Sequence, residues 1–137
     1  MSRYGIIVNV DRCAGCFACA VACKEENQVA PGIFWEKIKR NENVRDNVIN
    51  WFRMSCMHCD DPACVAGCPT GAMFKSDDGT VQHVDDRCVV CRNCMITCPY
   101  GAPRFASDEP GTKMSKCTMC VDRLAEGMQP ACTASCP

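Results

Sequence analysis

Apolar positions along this chain come in short bursts, and none is long enough to span a membrane. Ile6 to Val10 is rich in β-branched residues and predicts a short strand. Cys19 to Asn27, with Ala20 and Ala22, predicts a short helix. Ile33 to Trp35 and Val48 to Phe52 predict two strands flanking a polar loop, Arg40 to Asn47. Trp35 and Trp51 fall in this stretch, which reads as a hairpin covering the core rather than a direct partner contact. Pro69 to Phe74 predicts a turn into a strand. Ser76 to Gly79 predicts a hairpin turn, signalled by Asp78-Gly79, with Val81 to Val84 as the return strand. Ala106 to Ser115, which holds Pro110 and Gly111, reads as a linker. Thr118 to Glu126 predicts a last short helix with Gly127 as its cap.

Such small elements cannot by themselves build a substantial core, and the cysteines change the picture. There are sixteen in 137 residues, far above ordinary usage. They fall into four groups: Cys13, Cys16, Cys19 and Cys23; Cys56, Cys59, Cys64 and Cys68; Cys88, Cys91, Cys94 and Cys98; and Cys117, Cys120, Cys132 and Cys136. The run from Cys88 to Pro99 resembles the C-x2-C-x2-C-x3-C-P run of bacterial two-cluster ferredoxins. Three thiolates spaced in this way wrap one face of an iron–sulfur cube. The fourth cysteine follows on a helical turn, points away, and ligates the other cube of a pair. The tight x2-x2-x3 spacing favours metal over disulfides, and a third and fourth cysteine before proline depart from the paired pattern of zinc ribbons.

Sixteen ligands divide evenly into four [4Fe-4S] clusters, and the crossed ligation of ferredoxins assigns them. Cys56, Cys59, Cys64 and Cys98 hold one cube, and Cys68, Cys88, Cys91 and Cys94 hold its mate. By the same logic Cys13, Cys16, Cys19 and Cys136 hold a third, and Cys23, Cys117, Cys120 and Cys132 the fourth. The expected fold is α+β: two pseudo-symmetric ferredoxin-like modules, small and loop-rich, folded around four clusters. Residues 1–27 plus 106–137 form one module, residues 56–105 the other, and residues 28–55 a cysteine-free hairpin insertion. Crossed ligation ties both chain ends together through metal. His58 lies inside the second group, but four cysteines are available for each cube, so a surface or hydrogen-bonding role is expected of it.

Charge enters through the metal. The formal net charge of −1 counts every cysteine as neutral, whereas four oxidised cubes with their thiolates would take it to roughly −9. Arg12, Lys24, Arg87, Arg92, Lys116 and Arg123 lie close to the motifs as candidates for partial compensation, though each by itself reads as solvated surface. No basic block points to nucleic acid. Met1 to Tyr4 carries neither an apolar signal core nor a twin-arginine pair, so export is expected only as cargo of a partner. The strand preceding Cys13 repeats the one preceding Cys88, yet its counterpart of Met73 and Phe74 would have to follow Pro137. The first strand is therefore expected to present an open edge, covered by further chain or by a partner.

The four groups, the long gap between Cys120 and Cys132, and the segment Cys64-Val65-Ala66-Gly67-Cys68-Pro69-Thr70-Gly71-Ala72 resemble the four-cluster iron–sulfur subunits of the dimethyl sulfoxide reductase, or molybdopterin oxidoreductase, family. The resemblance covers nearly the whole chain. It implies an electron-transfer subunit next to a molybdenum or tungsten bis-pterin catalytic subunit, with a membrane anchor or other redox partner at the far end. It further implies that the Cys13, Cys16 and Cys19 cube lies nearest the catalytic subunit and the Cys88, Cys91 and Cys94 cube farthest from it. Some relatives lack one cysteine of the third group and carry a three-iron cluster there; all four are present here. The alternative function is a stand-alone soluble polyferredoxin. The aromatics between Val29 and Ser55 and the open first strand favour the subunit, with a large interface.

Overall fold

The computed structural model describes residues 4–137; Met1 to Arg3, the start of the opening segment, lie outside the described residues. The chain forms a small, loop-rich α+β structure. In order it contains helix α1 (Ala18–Glu26), strands β1 (Lys37–Asn43) and β2 (Val48–Met54), helix α2 (Ala63–Ala66), and strands β3 (Met73–Lys75) and β4 (Val81–His83). After a single 3-10 turn at Asp85–Arg87 come α3 (Asn93–Thr97), β5 (Arg104–Phe105), β6 (Met114–Ser115), α4 (Val121–Ala125) and α5 (Ala131–Ala134). Among the described residues the strands pair only as three separate antiparallel hairpins, β1–β2, β3–β4 and β5–β6.

Helices α2 to α5 have four or five residues each, far short of the roughly 12 to 15 that an isolated helix needs. Their stability must come from the loops that start them and the neighbours they touch. Two start in the same way. Pro62-Ala63-Cys64 opens α2 and Pro130-Ala131-Cys132 opens α5. The proline fixes the backbone at the helix entrance, and its carbonyl accepts from the residues three and four further on. These bonds are 2.9 and 3.2 Å from Val65 and Ala66, and 3.0 and 3.0 Å from Thr133 and Ala134. The other repeat joins α1 and α3. Phe17 and Arg92 stand just before them in left-handed backbone, at φ 63° and 62°. Each carbonyl again receives two N–H groups from the opening helical turn, at 3.0 and 3.1 Å for Phe17 and 3.0 and 3.2 Å for Arg92. Helix α1 packs on α5, and α2 on α3. The earliest and latest helices thus meet, and the two central ones meet each other.

The buried apolar cluster lies in the central part: Cys64, Met73, Val81, Cys94 and Met114, with Val65, Cys68, Cys88 and Phe105 against it. Long side chains anchor the β1–β2 segment. Trp35 Nε1 donates to Ser115 Oγ at 3.1 Å, and Lys37 Nζ to the Gly101 carbonyl at 3.3 Å. Gly15, at φ 65°, passes so close beneath Trp51 that a Cβ there would stand 2.3 Å from the indole ring. Phe17 meets the same indole edge-on, with centroids 6.2 Å apart. The base of this hairpin therefore covers the first cysteine loop, while residues 41–50 at its tip are exposed.

Several sequence expectations are corrected. Ile6 to Val10 is in no strand, and Ile7 is 97% exposed; a β-branched run needs a partner to close a ladder, and among the described residues no segment pairs with it. Ile33 to Trp35 lies before β1, not in it. Residues 40–43, expected as loop, are paired strand, with Arg40 opposite Trp51 and Asn43 opposite Val48, so the turn is only 44–47. The expected linker is largely a hairpin, since Met114–Ser115 pairs with Arg104–Phe105. That hairpin straddles the expected module boundary at residues 105 and 106. The helix expected from Thr118 begins at Val121, because Met119 and Cys120 have φ of 62° and 49°. Its end matches expectation: Gly127 adopts φ 75°, and the Met128 N–H reaches back to the Arg123 carbonyl at 2.9 Å.

Candidate metal centre

Each cysteine group runs from an irregular loop into a short helix, so that its sulfurs sit on two kinds of support. In the third group Cys88 and Cys91 lie on the loop, Cys94 on α3 and Cys98 just beyond it. Cys68, which ends the second group, joins Cys88, Cys91 and Cys94 around one cleft, which Met73, Phe105 and Met114 line together with the polar Thr70, His83 and Arg92. A separate cavity of about 370 Å³ is lined by Cys13, Cys16 and Cys19 of the first group with Cys132 and Cys136 of the last. In each case a trio of near neighbours is joined by cysteines distant in sequence: Cys68 in the first, Cys132 and Cys136 in the second.

The remaining sulfurs show their proximity electrostatically. Burial, then the charges of Glu36, Cys117, Cys132 and Cys120, pushes the Cys23 thiol far up. Burial raises Cys56, whose other neighbours include Cys98 and Cys59, and raises Cys64, which feels Cys56 and Cys98. Cys94 is pushed up to about 11 by burial, then by Cys64, Cys88 and Cys91. Cys132 is raised to about 11, chiefly by burial. Like charges gathered in apolar surroundings are costly unless a cation or cluster is bound to them.

Donors point at several of these sulfurs. The Ala102 N–H lies 3.4 Å from Cys98 Sγ, and the Met119 N–H 3.4 Å from Cys117 Sγ. Asn27 Nδ2 is 3.9 Å from both Cys23 and Cys120 Sγ. Arg53 Nη2 lies 3.5 Å from Cys132 Sγ and 3.1 Å from Ser55 Oγ, and it pairs with Glu36, which is 2% exposed. Around Cys68 burial pushes the thiol up, but the backbone N–H groups of Met73, Thr70 and Ala72 and the Thr70 hydroxyl outweigh it, and the thiol moves down. Such donors stabilise thiolate ligands and tune a cluster's potential.

Among the described residues no three Cys, His, Asp or Glu side chains converge as the ligands of a single metal ion. Tetrahedral zinc, with bonds of about 2.3 Å, would hold its sulfurs under about 4 Å apart. Soft sulfurs spread around apolar clefts, with amides aimed at them, fit iron–sulfur clusters.

His58 is buried and accepts from the Val81 N–H through Nδ1 at 2.9 Å, the hydrogen-bonding role expected of it, though not at the surface. Among the six basic residues flagged from the sequence, only Lys116 is buried. Lys24 instead donates to the carbonyls of Ala30 and Ile33, at 2.7 and 2.8 Å, and closes the loop after α1. Arg123 pairs with Glu26 at 3.0 Å. Arg92 pairs with Asp108 and lies over the Phe105 ring. The Glu36–Arg53 pair was not anticipated; its trace in the sequence is two opposite charges, one beside Trp35 and one beside Phe52.

Comparison with known proteins agrees with this chemistry. The 4Fe-4S dicluster domain family matches residues 48–137. The chain is 40% identical to a component of the anaerobic dimethyl sulfoxide reductase of Shigella flexneri, over 99% of this chain and 70% of that one. It is 41% identical to a component of the tetrathionate reductase of Salmonella typhimurium, over 98% of this chain and 54% of that one. Identity to the iron–sulfur subunit of the nitrate-inducible formate dehydrogenase of Escherichia coli is 32%, over 96% of this chain and 50% of that one. Among the described residues no helix is long and apolar enough to cross a membrane. With matches spanning essentially its whole length, the chain belongs to the family of 4Fe-4S iron–sulfur subunits typified by that of dimethyl sulfoxide reductase.

Proposed function

We propose that this chain holds four [4Fe-4S] clusters in two modules and serves as the electron relay between a molybdenum or tungsten bis-pterin catalytic subunit and a second redox partner, such as a membrane anchor. The observation that carries the reading is the meeting of distant cysteines: Cys132 and Cys136 with Cys13, Cys16 and Cys19 around one cavity, and Cys68 with Cys88, Cys91 and Cys94 around another. The ligand sets are Cys13, Cys16, Cys19 and Cys136; Cys68, Cys88, Cys91 and Cys94; Cys56, Cys59, Cys64 and Cys98; and Cys23, Cys117, Cys120 and Cys132. When bound, each cluster takes up and gives on one electron. The chain's own residues hold the sulfurs at fixed separations, shield them with apolar side chains, and set the local field with amide donors.

Packing of α1 on α5 and of α2 on α3 supports the two-module division: residues 1–27 with 106–137, and residues 56–105, with the 28–55 hairpin between them. Whole-length similarity to components of enzymes named for dimethyl sulfoxide, tetrathionate and formate favours a subunit over a free carrier. These relatives are named for different substrates, so the substrate is set by the catalytic partner. In the orientation we favour, the module built from both chain ends faces that partner and the central module faces the exit.

The direct test is metal and sulfide analysis of anaerobically prepared protein, with roughly 16 iron and as many sulfides expected per chain. Stoichiometric zinc, or iron sufficient for two clusters, overturns the reading. The partner is tested by affinity purification from the native host: a pterin-containing subunit should accompany the chain, and recovery of the iron–sulfur chain alone contradicts the subunit role.

A further inference from the structure

Lys116 is fully buried, at 0% exposure. An ammonium removed from water is costly unless compensated. Its Nζ donates to the carbonyls of Val81 and, at 2.9 Å, Cys117. Among the described residues no carboxylate stands within ion-pair distance of it. Two carbonyl dipoles do not neutralise a full charge, so the counter-charge must come from elsewhere.

The two acceptors of Lys116 lie beside candidate ligands of different clusters. The Cys117 carbonyl belongs to one such ligand. Val81, whose N–H is held at 2.9 Å by His58 between Cys56 and Cys59, packs in the buried apolar cluster with Cys64. In keeping with that placement, the positive charge of Lys116 opposes the effect of burial on the Cys56, Cys64 and Cys117 thiols. Cys56 and Cys64 fall in one proposed ligand set, Cys117 in another, and the two sets lie in different modules. The neutral Gln82 makes a second link across the same junction, from Nε2 to the Thr118 carbonyl at 2.9 Å. Arg53, a half-buried cation beside the candidate ligand Cys132, already has Glu36 as partner, so its field is largely cancelled at a distance.

We propose that Lys116 is a positioning residue of the relay: a buried cation shared by the Cys56/Cys59/Cys64/Cys98 and Cys23/Cys117/Cys120/Cys132 clusters, which raises the reduction potential of both at the junction of the modules. This rests on the four-cluster reading. Reduction adds negative charge to a cluster, and a fixed positive charge in a poorly screened interior favours the reduced form. Because Lys116 faces both sets, it lowers the energy of the electron on either side of the junction. A charge shared by both raises them together, so it draws the electron to the junction without itself opening a gap between the two clusters.

The test is a potentiometric titration of the full chain, followed by electron paramagnetic resonance, for wild type, Lys116→Met, Lys116→Gln and Lys116→Arg. With iron content unchanged, Lys116→Met and Lys116→Gln should shift two of the four clusters towards the oxidised form by tenfold or more, which is about 59 mV or more for a one-electron couple. The other two should stay in place, and Lys116→Arg should restore most of the shift. If no cluster moves, or all four move together, the proposal is wrong. Should the neutral variants lose clusters, Lys116→Arg decides: four clusters at near-wild-type potentials sustain the role of the charge, and equal loss in the arginine variant reduces Lys116 to a packing residue. Failure of the four-cluster reading would appear separately, as too little iron in the wild type.

Discussion

Gly15→Ala tests the contact by which the β1–β2 hairpin covers the first cysteine loop. Two costs are expected. One is the left-handed backbone at φ 65°, which an L-residue other than glycine adopts at about 1 to 2 kcal/mol. The other is overlap: the new Cβ would stand 2.3, 2.6 and 2.7 Å from three atoms of the Trp51 ring. An indole is rigid and can yield only by moving the strand that carries it, so overpacking of about 1 to 3 kcal/mol is expected. The two costs are separable. In a Trp51→Ala background the backbone cost remains and the overlap vanishes, so the mutations should couple by about 1 to 3 kcal/mol, or roughly 5- to 150-fold in an equilibrium or rate. Cluster-containing proteins seldom unfold reversibly, so the measurement is the rate of cluster bleaching in denaturant under anaerobic conditions. Gly15→Ala should speed bleaching much more in wild type than in Trp51→Ala. Equal acceleration in both backgrounds would mean that Trp51 does not sit over Gly15 and that the hairpin does not cover this loop.

Other substitutions probe separate features. Cys94→Ser should convert a single cluster, the one assigned to Cys68, Cys88 and Cys91, to a three-iron form, giving one new paramagnetic signal in the oxidised protein; damage to clusters of both modules would contradict the ligand sets. Arg53→Met leaves Glu36 buried without its partner and should destabilise the protein by about 3 to 5 kcal/mol, whereas Arg53→Met with Glu36→Met should recover most of that; bleaching rates that are equally fast in both variants refute it. Asp78 accepts from the Thr80 N–H at 2.8 Å and hydroxyl at 2.7 Å, and the Thr80 backbone bond is the chief cause that holds its carboxyl below the ordinary 3.8. Its stabilisation is therefore complete above pH 3.8 and lost as pH falls through the lower folded value. Asp78→Asn should flatten the acid limb of a stability-against-pH profile, and an unchanged limb would count against this account.

What was legible in the sequence follows from how local each signal is. Cysteine spacing is read over a few residues, and it marked all four groups and the chemistry they share. Asp78-Gly79 marked the β3–β4 turn because a two-residue signal is enough to set a hairpin. Strand β1 was missed because Ile38 is the only apolar residue in Lys37–Asn43; those residues are strand because Val48–Met54 lies opposite. Ile6 to Val10 misled for the converse reason, having strand composition without a partner strand. Lys116 reads as an ordinary surface lysine, and only three-dimensional packing puts it out of solvent. The shared Pro-Ala-Cys openings of α2 and α5 were present as letters, but their spacing from Cys68 and Cys136 was read as ligand pattern and not as a repeated helix start.

The left-handed residues that open α1 and α3 bear on how such a chain could diverge. Phe17 and Arg92 occupy equivalent positions and bear the same backbone penalty, which glycine would remove. Each side chain grips something different: Phe17 the edge of Trp51, Arg92 the Phe105 ring and Asp108. The two helix starts thus share one awkward joint, and each is held by its own clasp. Because the clasps share no atoms, one start can be altered to suit a new neighbour without retuning the other, and a common scaffold of this kind can serve enzymes with unrelated substrates.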